Sequence, residues 1–303
     1  MQFDLFIESI KKERIKHSEN EPMKNHTSFK IGGKADVFLC VKNTEELKRA
    51  LVLSKKYGVP SFVIGRGSNL LVSDGGIDGA VISLCDMDRI EADGERIICG
   101  AGASLSAVCR AACENSLTGL EFAFGIPGSV GGALYMNAGA YGGEMSQIVE
   151  AAEYMDFDGN TGEIANAEMR LGYRTSVFMT SEKIITRVVF NLKKGDKKAI
   201  SERMNELIER RKQKQPLDFP SAGSTFKRPE GHFAGALIEK NGLKGAKIGG
   251  AMVSEKHAGF IINYDNASSN DVKRLIKQVQ DTVYENDGVM LSPEVIFAGK
   301  EKL

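Results

Sequence analysis

The sequence has no tryptophan, little histidine and no excess of charge of either sign. Its 303 residues contain 40 Lys and Arg, 40 Asp and Glu, and four His. A protein that binds nucleic acid generally needs a basic excess to neutralise phosphates. The balance therefore argues against a general nucleic-acid binder, although it leaves room for a local basic pocket that holds a small anion.

Cysteine pairs and long apolar runs are missing too. The five cysteines form no C-x-x-C pair: Cys40, Cys85, Cys99, Cys109 and Cys113. An odd count with mostly apolar neighbours favours reduced, buried thiols in a reducing compartment and disfavours a zinc site or any other metal site. A run of about 18 apolar residues, which a membrane span requires, is absent, and residues 1–20 do not resemble a signal peptide. We expect a cytoplasmic protein that contacts neither membrane nor nucleic acid, and no protein partner can be inferred.

Apolar periodicity predicts mixed strands and helices, as in an α+β chain. A strand over 36–41 precedes a helix that begins at the capping pair Asn43 and Glu46 and ends at Gly58. Further helices are predicted over 104–116, 197–215, 234–241 and 271–286, and further strands around 247–253 and 258–263. The charges of the helix over 197–215 are expected on a solvated face. Gln215-Pro216 ends that helix and is expected to mark a boundary between domains.

Glycine is abundant, with 33 residues concentrated in a few clusters. Gly65-Arg66-Gly67-Ser68-Asn69 follows a predicted strand, but a dinucleotide-binding fingerprint fits poorly because Leu70 takes the third glycine position and another strand follows. The second cluster spans 125–133. Its glycines allow consecutive N–H groups to point into one concavity suited to a pyrophosphate, and the alternative is two tight turns between strands.

Seven segments, in order, resemble one enzyme family. They are FKIGGKAD, VIGRGSNLLV, GIPGSVGGALYMNAGAYG, LGYRTS, AGSTFKRP, LKGAKIGGAMVSEKHAGFIIN and LSPEVIF. Together, from about residue 25 to 297, they strongly resemble the UDP-N-acetylenolpyruvoylglucosamine reductases, the MurB family of peptidoglycan precursor synthesis. The resemblance implies an α+β FAD-binding fold of the vanillyl-alcohol-oxidase-like type, with two α+β subdomains and a smaller α+β substrate-binding domain.

The resemblance also implies a division of the chain. Residues 1–83 and 84–196 would form the two FAD-binding subdomains, with 288–303 returning to the first, and 197–287 would bind substrate. FAD would be non-covalent, since no histidine lies near 64–69 or 125–140, and NADPH would donate the hydride. The implied cofactor-binding residues are Ile64, Gly65, Arg66, Gly67, Ser68, Asn69, Gly125, Pro127, Gly128, Ser129, Gly132 and Gly139.

The implied activity is reduction of UDP-N-acetylglucosamine enolpyruvate to UDP-N-acetylmuramate. Such a reduction delivers a hydride to one carbon and a proton to the next, while negative charge builds on the substrate carboxylate. By resemblance, Ser224 is the proton donor, and Arg174 and Glu294 polarise the carboxylate. From the residues alone, Ser224 is typical of a turn, and Arg174 and Glu294 are typical of salt bridges.

Four more residues are implied to contact the substrate: Tyr173, Lys227, Arg228 and His257. The interval from Arg174 to Ser224 is short, so the chain resembles the class that lacks a Tyr-bearing substrate loop. Two alternatives remain. One is another FAD-dependent oxidase or dehydrogenase of the same fold, and the other is a non-catalytic protein that binds a nucleotide sugar.

Overall fold

The chain forms two compact units, each assembled from several segments; the computed structural model describes residues 2–300. Unit 1 comprises Met1–Glu19, Val37–Arg66 and Gly79–Arg211, and unit 2 comprises Asn20–Asp36, Gly67–Asp78 and Lys212–Leu303. The division into three ligand-binding regions stays a prediction, because the compactness of a segment does not say which ligand it binds.

Helices and strands alternate irregularly along both units. The helices are α1 (Gln2–Lys12), α2 (Thr44–Tyr57), α3 (Leu105–Glu114), α4 (Val130–Tyr135), α5 (Lys197–Lys214), α6 (Ala234–Lys240) and α7 (Ser269–Asp287). The strands are β1 (Lys16–Pro22), β2 (Lys34–Cys40), β3 (Ser61–Ile64), β4 (Leu70–Val72), β5 (Ile77–Ser83), β6 (Ile90–Asp93), β7 (Arg96–Gly100), β8 (Leu117–Thr118), β9 (Gly139–Ala140), β10 (Gly143–Glu144), β11 (Val149–Asp156), β12 (Thr161–Ala165), β13 (Lys183–Asn191), β14 (Lys193–Lys194), β15 (Lys247–Ile248), β16 (Ala251–Val253), β17 (Ile261–Asn263) and β18 (Ile296–Ala298).

Helix α2 begins and ends where the sequence predicts. The Asn43 side chain accepts a hydrogen bond from the backbone N–H of Glu46 at 2.9 Å, and the Glu46 carboxylate accepts one from the N–H of Lys42 at 3.1 Å. These bonds satisfy N–H groups that the first turn of a helix leaves without partners. Gly58 ends the helix with a φ of 65°, a conformation that glycine adopts without cost.

Unit 1 is built on a five-stranded antiparallel sheet in the order β12-β11-β13-β7-β6. Its apolar face and helix α3 share one core, in which Ile97, Val188 and Phe190 are fully buried. Beside this sheet is another in the order β1-β2-β5-β3, where Ser61–Ile64 runs parallel to Ala80–Ser83. The carboxyl end of β3 therefore leads directly into the first glycine cluster.

Unit 2 has its own core, which α7 covers with one apolar face. The strands β15, β16 and β17 form an antiparallel sheet, and β18 pairs in parallel with β4. The predicted strand over 247–253 is interrupted at Gly249 and Gly250. A β-carbon on Gly250 would lie 2.0 Å from the carbonyl oxygen of Asp265, so the chain turns there with no side chain in the way.

The glycine-rich stretch over 119–143 contains no long regular element. It holds the six-residue helix α4 and the short hairpin of β9 and β10. The glycine content accounts for this, because glycine weakens helix and strand interiors alike.

Within residues 2–300, no helix combines the length and apolarity needed to cross a membrane.

Candidate active site

The two glycine clusters meet at Gly65. A β-carbon on Gly65 would lie 2.1 Å from the Oγ of Ser129, a distance that real side chains do not reach. The Ser129 hydroxyl is buried and accepts a hydrogen bond from the N–H of Gly132 at 3.4 Å, which caps helix α4. The absence of a side chain at residue 65 therefore lets the chain after β3 lie directly against the start of α4.

The second cluster is held by backbone hydrogen bonds to the segment before α3. The N–H of Leu105 donates to the carbonyl of Gly128, and the N–H of Val130 donates to the carbonyl of Ala103. The N–H of Gly131 donates to the carbonyl of Ala101 at 2.8 Å. These bonds fix the loop that precedes α4.

Several backbone donors in these two loops remain unused by the protein. Within residues 2–300, the N–H groups of Gly65, Arg66, Gly128 and Ser129 donate no hydrogen bond to another group of the chain. A native protein rarely leaves a buried donor such as that of Ser129 without an acceptor, and neighbouring N–H groups on converging loops are suited to phosphate oxygens. The donor set therefore fits the pyrophosphate of FAD.

The second half of the first cluster belongs to unit 2. Gly67 has a φ of 59° and its backbone lies so close to His26 that a β-carbon would be 2.1 Å from the His26 carbonyl oxygen. The Oγ of Ser28 lies 3.3 Å from the carbonyl oxygen of Ser68 and 2.7 Å from that of Ser221, and it hydrogen-bonds to both. Ser28 was not predicted, although it directly precedes the segment FKIGGKAD.

Arg174 occupies a tight turn in unit 1. Gly172 and Thr175 exchange backbone hydrogen bonds of 3.1 and 3.2 Å, which leaves Tyr173 and Arg174 at the tip. Arg174 has a φ of 52°, an unusual conformation for a residue with a side chain and one that is frequent at functional sites. Its Nη2 donates to the carbonyl oxygen of Gly139 at 3.4 Å, and its guanidinium lies 5.3 Å from the centre of the Tyr173 ring.

Ser224 and Glu294 lie on neighbouring segments of unit 2. The N–H of Glu294 donates to the carbonyl of Thr225 at 2.8 Å, and Phe226 and Pro293 form a β-bridge beside this bond. The Thr225 N–H donates to the carbonyl of Gly259, so the serine segment is held on both sides. The fold of unit 2 thus brings the Ser224 and Glu294 motifs together, while Arg174 belongs to unit 1.

Asn69 links the end of the first cluster to the glutamate motif. Its Nδ2 donates to the Glu294 carbonyl oxygen at 3.1 Å. Both residues belong to unit 2, and their contact is continued by the parallel pairing of β4 with β18.

The predicted substrate residues differ in exposure. Tyr173 is exposed, and Lys227 is half-buried with its N–H bonded to the carbonyl of Ser292. Arg228 is exposed, and its guanidinium lies 4.6 Å from the centre of the Phe233 ring. Phe233 is 63% exposed, so this pair presents a cation and an aromatic face to solvent.

His257 is enclosed by backbone. Its Nδ1 accepts a hydrogen bond from the N–H of Gly259 at 3.1 Å, and a β-carbon on Gly259 would lie 3.0 Å from the ring. Because Nδ1 accepts, the neutral ring carries its proton on Nε2 and can donate there. Burial lowers the pKa of His257 below its ordinary value, which favours this neutral form.

Arg211 on α5 is a residue that the sequence analysis missed. The expectation of a solvated face concerned the charges opposite the apolar stripe, whereas Arg211 lies on the stripe itself and packs on the second glycine cluster: a β-carbon on Gly125 would lie 3.1 Å from its Cδ. Burial lowers the pKa of the Arg211 guanidinium, and the structure places no carboxylate in a salt bridge with it within residues 2–300. A buried cation beside the Gly125 loop suits an anionic ligand. Spacing along α5 carried the signal, because residue 211 follows Leu207 by four positions and Met204 by seven and so lies on the apolar stripe.

The contact between Gly65 and Ser129 gives the first testable expectation. We expect Gly65→Ala to lower the FAD content of the purified protein and its melting temperature, because the new methyl group would force the two loops apart. Ser129→Ala in the same chain removes the Oγ and should restore much of the FAD content, whereas Ser129→Ala alone should keep the FAD content and lower the melting temperature modestly through the lost helix cap. Flavin absorbance and thermal unfolding measure the result. Equal FAD content in wild type and Gly65→Ala would contradict this account.

A second expectation concerns acid stability. The folded pKa of His257 lies below the value of about 6.5 for an unfolded histidine, so the unfolded chain takes up the proton first as pH falls. The stability that neutral His257 contributes is therefore fully present above pH about 6.5 and is lost as pH falls through the lowered value. We expect the melting temperature of wild type to fall more between pH 7.5 and 5.5 than that of His257→Gln. Parallel falls would show that the pKa of His257 is the same in the folded and the unfolded chain, which would contradict the lowered value.

Two family profiles match the chain. The profile for the FAD binding domain matches residues 35–165, and the profile for the C-terminal domain of UDP-N-acetylenolpyruvoylglucosamine reductase matches residues 215–298. The predicted α+β chain with an FAD-binding fold is thereby confirmed. The first profile covers the glycine clusters, and the second covers Ser224, His257 and Glu294.

Relatives match over nearly their whole length. The chain is 48% identical to the UDP-N-acetylenolpyruvoylglucosamine reductase of Clostridium tetani over 297 residues, which is 98% of this chain and 96% of that protein. It is 51% identical to that of Clostridium beijerinckii over 279 residues, 92% of each chain. The crystal structure of the Thermus caldophilus enzyme (MurB) matches with a TM-score of 0.79 and 36% identity, over 94% of this chain and 98% of that one. The order of motifs, the two profiles and this likeness in sequence and structure agree, and the chain belongs to the UDP-N-acetylenolpyruvoylglucosamine reductase family.

Proposed function

We propose that this protein reduces UDP-N-acetylglucosamine enolpyruvate to UDP-N-acetylmuramate in the cytoplasm, with non-covalent FAD and with NADPH as the hydride donor. The observation that carries the proposal is the pairing of the Ser224 segment with the Glu294 segment in unit 2. Protonation of an enolate requires a proton donor close to the reacting carbon. The pairing brings the segment of the Ser224 hydroxyl, a weak acid, next to the segment of the Glu294 carboxyl group. The reaction would supply a precursor of peptidoglycan.

The chain holds FAD through the two glycine clusters. The proposed contacts are the residues Ile64, Gly65, Arg66, Gly67, Ser68, Asn69, Gly125, Pro127, Gly128, Ser129, Gly132 and Gly139. The unused N–H groups of Gly65, Arg66, Gly128 and Ser129 support this assignment. When bound, FAD supplies the two-electron chemistry that side chains lack.

Arg174 and Glu294 act on the substrate carboxylate. A guanidinium keeps its charge at any working pH and binds a carboxylate through two parallel hydrogen bonds, so Arg174 can stabilise the charge that builds there. Glu294 stabilises the enol form.

Ser224 transfers a proton from its Oγ to the carbon adjacent to the one that receives the hydride. The balance is one hydride and one proton added across the double bond. The resulting alkoxide regains a proton from water, to which the partly exposed Ser224 has access. Gly223, with a φ of 79°, turns the backbone sharply just before this serine.

Substrate recognition is assigned to the residues with cationic or donor groups near these motifs. Lys227 and Arg228 would bind the diphosphate, and Tyr173 and the Nε2–H of His257 would contact the nucleotide sugar. The interval between Arg174 and Ser224 is occupied by β13, β14 and α5. That observation supports assignment to the class without the Tyr-bearing loop.

An anaerobic flavin spectrum tests the proposal directly. NADPH should bleach the flavin of the purified protein, and the enolpyruvyl UDP-sugar should then restore the oxidised spectrum. Restoration by oxygen alone would favour an oxidase of the same fold. A protein that binds the sugar but is never reduced would be a nucleotide-sugar binding protein.

The proton-donor role of Ser224 separates the two half-reactions. We expect Ser224→Ala to leave flavin reduction by NADPH nearly unchanged and to slow reoxidation by the enolpyruvyl sugar by about 100-fold or more, since a general acid contributes on that order. Stopped-flow absorbance measures both steps. Ser292→Ala, which alters an exposed serine on the adjoining segment, is the control and should change neither rate. Equal loss of both half-reactions would rule out the assigned role.

The role of Arg174 depends on geometry as well as on charge. Arg174→Lys keeps the charge but loses the planar pair of donors, so we expect the reoxidation rate to fall by about 100-fold. Arg170→Lys makes the same exchange at an exposed position nearby and should leave the rate unchanged. A reoxidation rate near that of wild type in Arg174→Lys would show that charge alone is sufficient.

A further inference from the structure

The turn that carries Arg174 is held at three points by one short segment of unit 1. The Oγ of Ser176 donates to the carbonyl oxygen of Tyr135 at 2.7 Å. The Nδ2 of Asn137 donates to the carbonyl oxygen of Gly172 at 3.0 Å, and the Nη2 of Arg174 donates to that of Gly139 at 3.4 Å. Residues 135–139, which directly follow α4 and the second glycine cluster, therefore run alongside the turn over its whole length.

Asn137 is the central contact, and both the nitrogen and the oxygen of its amide are hydrogen-bonded. Its side chain is 1% exposed, and its Oδ1 accepts a hydrogen bond from the N–H of Ser146 at 2.9 Å. One partner is an acceptor and the other a donor, so only one orientation of the amide satisfies both. The φ of Asn137 is 41°, which asparagine tolerates better than most residues.

The turn needs such support. Arg174 has a left-handed φ of 52°, and a residue with a side chain keeps this conformation only when its surroundings determine it. A guanidinium that grips a carboxylate with two bonds must be placed to within about 0.5 Å. The long arginine side chain begins from this turn, so a shift of the turn moves its reacting end.

We infer that Asn137 is a positioning residue: its amide fixes the turn 172–175 and thereby sets where the Arg174 guanidinium meets the substrate carboxylate. The inference rests on the proposed function of Arg174. Asn137 follows α4, between Tyr135 at its end and Gly139. The second glycine cluster, which is assigned to FAD, leads into α4. The segment assigned to FAD is therefore continuous with the segment that holds the Arg174 turn.

Asn137→Asp is the sharpest test. Aspartate has the same size, tolerates the same φ and still accepts the bond from Ser146. An oxygen replaces Nδ2, however, so a second acceptor faces the Gly172 carbonyl and the turn is pushed away. Asn166→Asp is the matched control, since the Nδ2 of Asn166 donates to the carbonyls of Ser146 and Val149 and the residue makes no hydrogen bond to 172–176.

We expect Asn137→Asp to slow flavin reoxidation by the enolpyruvyl sugar by about 10- to 100-fold, the usual effect of a displacement near 1 Å. Flavin reduction by NADPH should stay within about twofold of wild type, because only the position of Arg174 changes. Asn166→Asp should leave both rates within about twofold, although both variants should lower the melting temperature. A titration of the oxidised holoenzyme with the UDP-sugar, in the absence of NADPH, should show weaker binding for Asn137→Asp only.

A double-mutant cycle separates positioning from general destabilisation. In a chain that already carries Arg174→Lys, adding Asn137→Asp should slow reoxidation by less than about twofold. The guanidinium geometry that Asn137 maintains is already lost in that chain. Full additivity of the two effects would overturn the inference. So would a reoxidation rate in Asn137→Asp equal to that of Asn166→Asp.

A further variant keeps the test decisive if Asn137→Asp does not fold. Ser176→Ala removes a neighbouring contact of the same turn, and it should give the same selective loss in reoxidation, with NADPH reduction unchanged. An unchanged reoxidation rate in that variant would overturn the inference. Failure of the proposed function itself is distinguishable, because wild-type flavin would then not be reoxidised by the enolpyruvyl sugar.

Discussion

The close approach of Gly65 to Ser129 leaves no room for a β-carbon, and much of unit 1 depends on it. The approach sets the chain after β3 against the start of α4, whose own position is fixed by backbone bonds to Ala101 and Ala103. Helix α4 then leads into residues 135–139, which hold the Arg174 turn. The lack of a side chain at Gly65 thus allows the loop after β3 and the loop before α4 to lie together. Because α4 leads into the segment that holds the Arg174 turn, the same contact also affects the position of the Arg174 guanidinium.

Unit 2 reaches its arrangement by a different physical route. Ser224 and Glu294 are neighbours because their backbones pair like strands, with the bond from Glu294 to Thr225 and the bridge of Phe226 with Pro293. Backbone pairing fixes relative position with few requirements on side chains. The side chains of Ser28 and Asn69 hold the surrounding loops through bonds to carbonyl groups.

Local signals predicted the helices well, and tertiary contacts account for what the sequence did not predict. Asn43 and Gly58 bound α2 through interactions within a few residues of its ends, so the sequence carries that information. Periodicity along α5 places Arg211 on the apolar stripe, but the loop of Gly125 that it packs against lies far away in the chain, and periodicity does not identify that partner. The family resemblance named the residues assigned to chemistry. It did not name Asn137 or Ser28, because their bonds to backbone carbonyls exist only once distant segments have folded together.

The parallel pairing of β18 with β4 has a consequence for synthesis on the ribosome. Residues 296–298 complete a sheet with residues 70–72, and the whole of Gly79–Arg211 is translated between these two strands. At about 5 to 20 residues per second, β4 waits roughly 10 to 45 s for its partner. Throughout that interval the edge of β4 that pairs with β18 has no partner strand, so the parallel pair and the glutamate motif form only when synthesis is nearly finished.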